Sequence, residues 1–250
     1  MSDVLTDTRV VFVGTAGWAI PRASGEAFPS DGSGLERYAA SFKGVEINST
    51  FYRSHRPQTL ERWRAATPAG FRFAVKAPRA ITHEARLVGC APRLNQFFDE
   101  IAALAEKLGP VLVQLPPSLV FDPKIAADFL VALRGRWHGP VALEPRHLRW
   151  FGVDAEVLLG AYRIARVAAD PARTAAAVAP GAHACLAYWR LHGAPRLYST
   201  AYGLDRLAAL AVAMGKDRDR ETWCIFDNTA SGAAAANALT LATKLGILQG

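Results

Sequence analysis

What most constrains this chain is an alternation. Eight short apolar runs rich in Val, Ile, Leu and Phe alternate with longer amphipathic stretches rich in Ala, Leu, Glu and Arg. A short apolar run bounded by turn residues reads as a strand buried on both faces, and apolar residues at helical spacing read as a helix lying over it. The runs are VVFVGTAGW from Val10, GVEINSTF from Gly44, FRFAVKAP from Phe71, VLVQLPPS from Val111, VALEPRH from Val141, RIARVAADP from Arg163, LAYWRLHG from Leu186 and TWCIFDNT from Thr222. Helical spacing is carried by GLERYAASF from Gly34, QTLERWRAA from Gln58, RLNQFFDEIAALAEKL from Arg93, PKIAADFLVAL from Pro123, GLDRLAALAVAM from Gly203 and SGAAAANALTLATKL from Ser231. Because a strand opens each pair, the expected fold is α/β, a (β/α)8 TIM barrel formed as a single domain over residues 1–250. A doubly wound sheet competes, but it normally needs fewer strands, and no GxGxxG follows the first run.

Loop lengths separate the two ends of such a fold. Helix-to-strand links such as SFKG, TPAG and LGP are short, whereas the strand-to-helix links over 19–33, 78–92 and 193–202 are long. Barrel enzymes build pockets and lids on the strand-exit side, so these three loops are expected to form the mouth.

With 51% hydrophobic and 20% charged residues the chain has ample material for one core, which excludes disorder, collagen and coiled coil. No apolar run approaches the roughly 18 residues a membrane-spanning helix needs. The start, MSDVLTDTRV, carries acidic residues where a secretory signal has basic ones, so a cytoplasmic location without membrane attachment is expected. Cys90, Cys185 and Cys224 stand far apart without metal-ligand spacing and read as reduced, buried core residues. A net charge of +7 favours an anionic partner, set against the plainer reading of a solvated basic surface. Nothing in the sequence sets an oligomeric state.

Polar residues gather where each apolar run stops. Glu46, Asn48 and Thr50 alternate and so share one strand face, with Tyr52 just beyond. The third run exits through Lys76 towards His83, the fourth carries Gln114, and the fifth ends in Glu144 and Arg146 with Trp150 following. The sixth reaches Asp170, the seventh Arg190 and His192, and the eighth Asp227 and Asn228. A charge inside a strand costs several kcal/mol unless it is paired, so repeated polar groups at one end point to a binding site. The structural alternative is that Glu46, Glu144 and Arg190 form an ion-pair network that only closes the barrel. Asp227 is read equally as a helix cap or a surface residue. His55, His138, His147 and His183 read as loop or surface histidines, while Trp18 and Trp150 read as rim packing or as stacking platforms.

The stretches VGTAGW, VEINSTFY from Val45, FAVKAPRAITH from Phe73, LGPVLVQLPPS from Leu108, ALEPRHLRW from Ala142, YWRLHG from Tyr188 and FDNTASGAAAANAL from Phe226 together resemble the YecE-like TIM-barrel family. They run in order over nearly the whole chain. The resemblance implies a (β/α)8 barrel and carries no activity with it. Asp227 departs from the Asn expected at that position, whereas Asn228 conforms.

Glu46 and Glu144, on the second and fifth runs, face each other across the mouth and suit a general acid and base, with His83 and Asp170 as further catalytic candidates. A glycosidase would use two carboxylates in a related way, but barrel glycosidases place theirs on the fourth and seventh strands. Asn48, Tyr52, Lys76, Gln114, Arg146, Trp150, Arg190, His192 and Asn228 are the expected substrate contacts. Arg190 and the start of the last helix would hold an anion. The leading expectation is therefore an enzyme, most simply a hydrolase, acting on a phosphate- or carboxylate-bearing small molecule. A lyase or isomerase fits the same groups. The alternative is a nucleic-acid-binding or DNA-repair-type phosphodiesterase, with Arg53, Arg56, Arg79 and Arg149 on backbone phosphates and Tyr52, Trp18 or Tyr198 stacking on a base. A barrel that only binds is a third reading. No cofactor is expected, and a divalent metal on Glu46, His83, Glu144, Asp170 and His192 is disfavoured by the Arg and Lys at the same strand ends.

Overall fold

A computed structural model describes residues 10–216 and 220–248. The acidic opening segment read above lies outside them. Helix starts follow local chemistry. Ahead of α1 (Gly34–Ser41) the Ser33 hydroxyl accepts from the Glu36 N–H, while the Glu36 carboxylate accepts from the Ser33 N–H at 2.7 Å. Asp122 accepts from the Ile125 N–H at 2.9 Å at the start of α4 (Pro123–Arg136), with Pro123 where no N–H is needed.

Among the described residues nine strands form two all-parallel sheets. One has the order β1 (Val11–Thr15), β9 (Glu221–Phe226), β8 (Leu186–Leu191), β7 (Ala168–Asp170). The other runs β2 (Gly44–Ile47), β3 (Arg72–Lys76), β4 (Leu108–Gln114), β5 (Val141–Glu144), β6 (Ala165–Arg166). The helices α2 (Pro57–Ala65), α3 (Ala91–Ile101), α5 (Val153–Ala161), α6 (Leu204–Gly215) and α7 (Ala233–Lys244) complete the β/α alternation.

The expected ring of eight strands is corrected at two places. Between β1 and β2 the ladder shrinks to an isolated bridge from Ala16 to Glu46, with the Gly17 N–H donating to the Glu46 carbonyl at 2.8 Å. The backbones crowd there: a Cβ on Gly14 would stand 2.2 Å from the Gly44 carbonyl oxygen. The sixth run is divided. The Val167 N–H donates to Leu143 of β5, Ala168 already pairs with Trp189 of β8, and Arg166 is drawn into an antiparallel bridge with Gly181. The segment 165–170 therefore passes from one sheet to the other and belongs to both.

Other boundaries move for local reasons. β2 ends at Ile47, and Asn48 has helical dihedrals leading into a 3-10 turn over Ser49–Phe51, so Glu46, Asn48 and Thr50 do not share a strand face. The Thr50 hydroxyl holds this turn by reaching the carbonyls of Ile47 at 3.0 Å and Lys76 at 2.7 Å. The long third helical stretch stops at Ile101 and continues as a tighter 3-10 segment, Ala102–Lys107, interrupted by positive φ at Ala105. The helix α5 was not read from the sequence. Between β7 and β8 the described residues hold only a 3-10 turn, Ala175–Val178.

Strand alternation produces two apolar clusters. Phe12, Ala74, Leu112, Ala142, Ala165, Val167, Leu186, Tyr188, Trp223 and Ile225, drawn from both sheets, form an inner one. The larger cluster lies between strands and helices and includes Val13, Val45, Val75, Val113, Leu143 and Leu191. The two sheets therefore face each other around shared contents. Cys90 and Cys224 are buried, but Cys185 is exposed, because it lies in the turn before β8. Among the described residues no helix is long and apolar enough to cross a membrane.

Candidate functional site

The inward-facing positions change from apolar to charged one step further along the strands. On β3 the sequence passes from Ala74 to Lys76, on β4 from Leu112 to Gln114, on β5 from Ala142 to Glu144, and on β8 from Tyr188 to Arg190 and then His192. The Glu46 side chain enters from β2 and that of Asp227 from the residue after β9. All strands being parallel, these groups meet at one end, the C-terminal end.

Arg190 is the hub. Its Nη2 and Nε bind Glu46 Oε1 at 2.6 Å and Oε2 at 2.9 Å. Its Nη1 lies 3.1 Å from Glu144 Oε2 and 3.2 Å from Asp227 Oδ2. Glu46 also accepts from the Tyr188 hydroxyl at 2.9 Å. Glu144 has two donors on each oxygen: Gln114 Nε2 at 3.0 Å and Arg190 on Oε2, Arg146 Nη1 at 2.8 Å and His192 Nε2 at 2.9 Å on Oε1. The other ring nitrogen of His192 faces Asp227 Oδ2 at 2.9 Å. With a carboxylate on both nitrogens the ring is held as an imidazolium.

The electrostatics follow from this pairing. Burial opposes ionisation of Glu144, but the His192 and Arg190 charges beside it hold its carboxyl well below the usual carboxylate range. The same contest, won by Arg190 and His192, lowers Asp227. Burial works against a charged His192, yet Glu144 and the hydrogen bond to Asp227 raise it above the ordinary histidine value.

Lys76 differs from its neighbours. It is 5% exposed, and among the described residues its ammonium makes no hydrogen bond or ion pair; it stands 4.1 Å over the Phe51 ring. Burial first, and then the Arg190 charge, push it down to about 8, against the opposing pull of Glu46, Glu144 and Asp227. His83, in a single π turn over Ala80–Glu84, stands edge-on to the same Phe51 ring at 5.0 Å and binds the Thr82 hydroxyl through Nδ1 at 2.8 Å. Burial, followed by the charges of Lys76, Arg79 and Arg146, lowers it.

Other expected residues lie elsewhere or act differently. The Asp170 carboxylate turns to Arg206 of α6 at 3.4 Å, so the structure does not join it to the cluster. Trp150 corrects the stacking expectation: it is 2% exposed, its indole N–H donates to the Leu119 carbonyl at 2.9 Å, and Phe121 covers its edge. Trp18 likewise packs edge-on against Trp63 of α2. Tyr52 is 69% exposed. Asn48 keeps a buried side-chain oxygen without a partner. Asn228 is an anchor for the 193–202 loop, its Nδ2 donating to the Thr200 carbonyl at 3.0 Å and to Asn237 Oδ1 of α7 at 2.9 Å.

Three residues outside the catalytic and substrate contacts of the leading expectation belong to the site. Tyr188 lies two positions before Arg190 and shares its strand face, a signal the alternation contained. Asp227, read from the sequence as a cap or surface group, follows β9 directly and turns into the cluster. Tyr198 stands edge-on to the His192 ring at 5.7 Å from the 193–202 loop, which no periodicity could reveal.

Among the described residues no group of three or more His, Cys, Asp or Glu is arranged to hold a metal ion. The cluster's carboxylates are taken up by guanidinium and imidazolium donors, so the donor set does not fit a cation. A cleft of about 830 Å³ lies at the opposite end of the strands against Val11, Phe12, Phe42, Phe71 and Leu248, and contains none of this chemistry.

The fold and this buried cluster define the class: an α/β protein of parallel sheets with a charged constellation at the C-terminal strand ends. The chain belongs to the family described as protein of unknown function DUF72, which it matches over residues 12–250. It is 31% identical over 150 residues to the UPF0759 protein YecE of Escherichia coli K12, covering 59% of this chain and 52% of that one. To the UPF0759 protein YunF of Bacillus subtilis 168 it is 28% identical over 152 residues, covering 57% and 52%. The chain thus matches about half the length of these curated relatives. Among solved structures, a DUF72 family protein of Enterococcus faecalis V583 superposes with a TM-score of 0.81 at 20% identity, covering 96% of this chain and 97% of that one. One from Thermotoga maritima MSB8 gives 0.78 at 25% identity, covering 95% and 100%.

Proposed function

We propose that this chain is a cytoplasmic enzyme that binds a phosphate- or carboxylate-bearing small molecule and moves a proton on it. We read its two sheets as parts of one (β/α)8-type barrel loosened at the β1–β2 seam, with the site at its C-terminal mouth. The charge balance of the cluster carries this reading. Three carboxylates, Glu46, Glu144 and Asp227, are consumed by Arg190, Arg146 and the His192 imidazolium, while a fourth basic group, Lys76, is left without a counter-ion among the described residues. A buried cation without a partner is costly, and an anion placed there would remove that cost. Arg146, its side chain 12% exposed and oriented by Glu144, is the second anion contact.

The roles differ from those of a free carboxylate pair. Glu144 has two donors on each oxygen and Glu46 accepts three bonds in all, so both serve to position Arg190 and Arg146. Proton transfer falls to His83, which is half-buried and held neutral near pH 7. The test is calorimetric titration with inorganic phosphate and with malonate at low salt, using wild type and Arg146→Met. Saturable binding that weakens at least tenfold in the variant, a loss of about 1.4 kcal/mol, is expected. Equal affinity for both proteins would remove the assignment.

Exposed Tyr52 beside exposed Arg53 and Arg56, with Arg79 and Arg149 also at the surface, favours the nucleic-acid reading as a second possibility. Oligonucleotide binding that falls steeply between roughly 50 and 200 mM salt, and is lost on replacing Tyr52 and Arg53, would select it.

A further inference from the structure

We propose that Lys76 is an amine nucleophile that condenses with an aldehyde or ketone group of the bound anion to form a Schiff base. This rests on the reading of the mouth as an anion site and names the substrate class: a small phosphorylated or carboxylated carbonyl compound. The geometry separates Lys76 from the other cations of the cluster. Arg190, Arg146 and His192 are each fixed by carboxylates, whereas among the described residues the Lys76 nitrogen has no hydrogen bond or ion pair and stands over the π face of Phe51. A lysine meant to neutralise Glu46, Glu144 or Asp227 would contact an oxygen, and this one does not.

The groups facing it set its protonation. Arg190 from β8 disfavours the ammonium; Glu46 from β2, Glu144 from β5 and Asp227 after β9 favour it; His83 in the π turn feels its charge. Burial and Arg190 prevail, bringing the amine to about 8, so a useful fraction is unprotonated near neutrality. In the step itself the neutral nitrogen attacks the carbonyl carbon, a C–N bond forms, the carbonyl π electrons pass to oxygen, and one N–H proton moves from nitrogen to that oxygen to give a neutral carbinolamine. The hydroxyl is then protonated and leaves as water while the nitrogen lone pair forms C=N and one N–H proton is released. The sum is amine plus carbonyl giving imine plus water, with no oxidant or reductant. His83, edge-on to the same Phe51 ring, is the group to which the proposal assigns taking and returning the proton.

The protein is incubated with glyoxylate or glyceraldehyde 3-phosphate, reduced with sodium borohydride and mapped by peptide mass spectrometry. One adduct is expected, on Lys76, at least tenfold above exposed Lys43 and Lys244, suppressed by inorganic phosphate and half-maximal near pH 8. Lys76→Arg, checked for folding by circular dichroism, should lose it. Labelling of Lys43 and Lys244 with Lys76 unmodified overturns the proposal. If phosphate still binds in the calorimeter, the anion site survives that result; if phosphate does not bind, both readings fall.

Discussion

Glu46 grips Arg190 at two points, one carboxylate oxygen on Nη2 at 2.6 Å and the other on Nε at 2.9 Å, with neither side chain exposed to solvent. The two residues belong to different sheets, β2 and β8, so this pair ties the sheets together inside. Removing one partner of a buried pair strands the other. Arg190→Met, which strands Glu46, Glu144 and Asp227 together, should lower stability by about 3–5 kcal/mol, and by more than Glu46→Gln. Urea unfolding midpoints decide it; wild-type stability in Arg190→Met would refute the hub role.

His192 should make stability depend on pH. Its value is raised on folding, so the native state binds more protons than the unfolded chain above the ordinary value of 6.5. Its contribution is thus complete below about 6.5 and lost as pH rises through the raised value. Glu144 and Asp227 are lowered, so their contribution is present above their ordinary values of 4.5 and 3.8 and lost on acidification below them. The stability difference between wild type and His192→Gln should therefore be largest near pH 6 and shrink towards alkaline pH. A difference that grows with pH would show that the ring is neutral in the native state.

Asn228 should matter to the loop more than to the charges. Asn228→Ala removes the donor shared by the Thr200 carbonyl and Asn237, leaving the part-buried Thr200 carbonyl unmet while Asn237 Oδ1 keeps the Tyr202 N–H, at a cost of about 1–3 kcal/mol. Amide exchange should accelerate over 199–202 while β3 and β4 stay protected. Uniform acceleration across the chain would contradict a loop-anchoring role.

At the seam, Gly14→Ala places a methyl 2.2 Å from the Gly44 carbonyl oxygen and 2.9 Å from the Tyr38 hydroxyl. The obstacle is backbone, so the strands must part, and we expect a loss of about 3 kcal/mol or more. A thermal midpoint within one degree of wild type would mean that β1 and β2 can separate freely.

Much of the fold was legible because its signal is local. Short apolar runs, capping residues such as Ser33 and Asp122, and alternation along β3, β4, β5 and β8 each depend on residues close in sequence. The same alternation placed Glu46, Lys76, Gln114, Glu144, Arg190 and His192 at one end. Where two elements compete for one residue, sequence is silent. The break at Val167 arises because two sheets claim neighbouring residues, and the end of β2 at Ile47 because Thr50 reaches across to the Lys76 carbonyl.

The sequence by itself determined which elements form and which residues point inward, since periodicity and caps act over a few residues. Only the tertiary structure decided who pairs with whom. It gave three carboxylates to Arg190, turned Asp170 away to Arg206, buried Trp150 beneath Phe121, and set Lys76 over Phe51 with no ion pair among the described residues. The reason is range: a buried charge takes its state from whatever lies within a few ångströms in space, and those neighbours come from strands up to 144 residues apart in the chain.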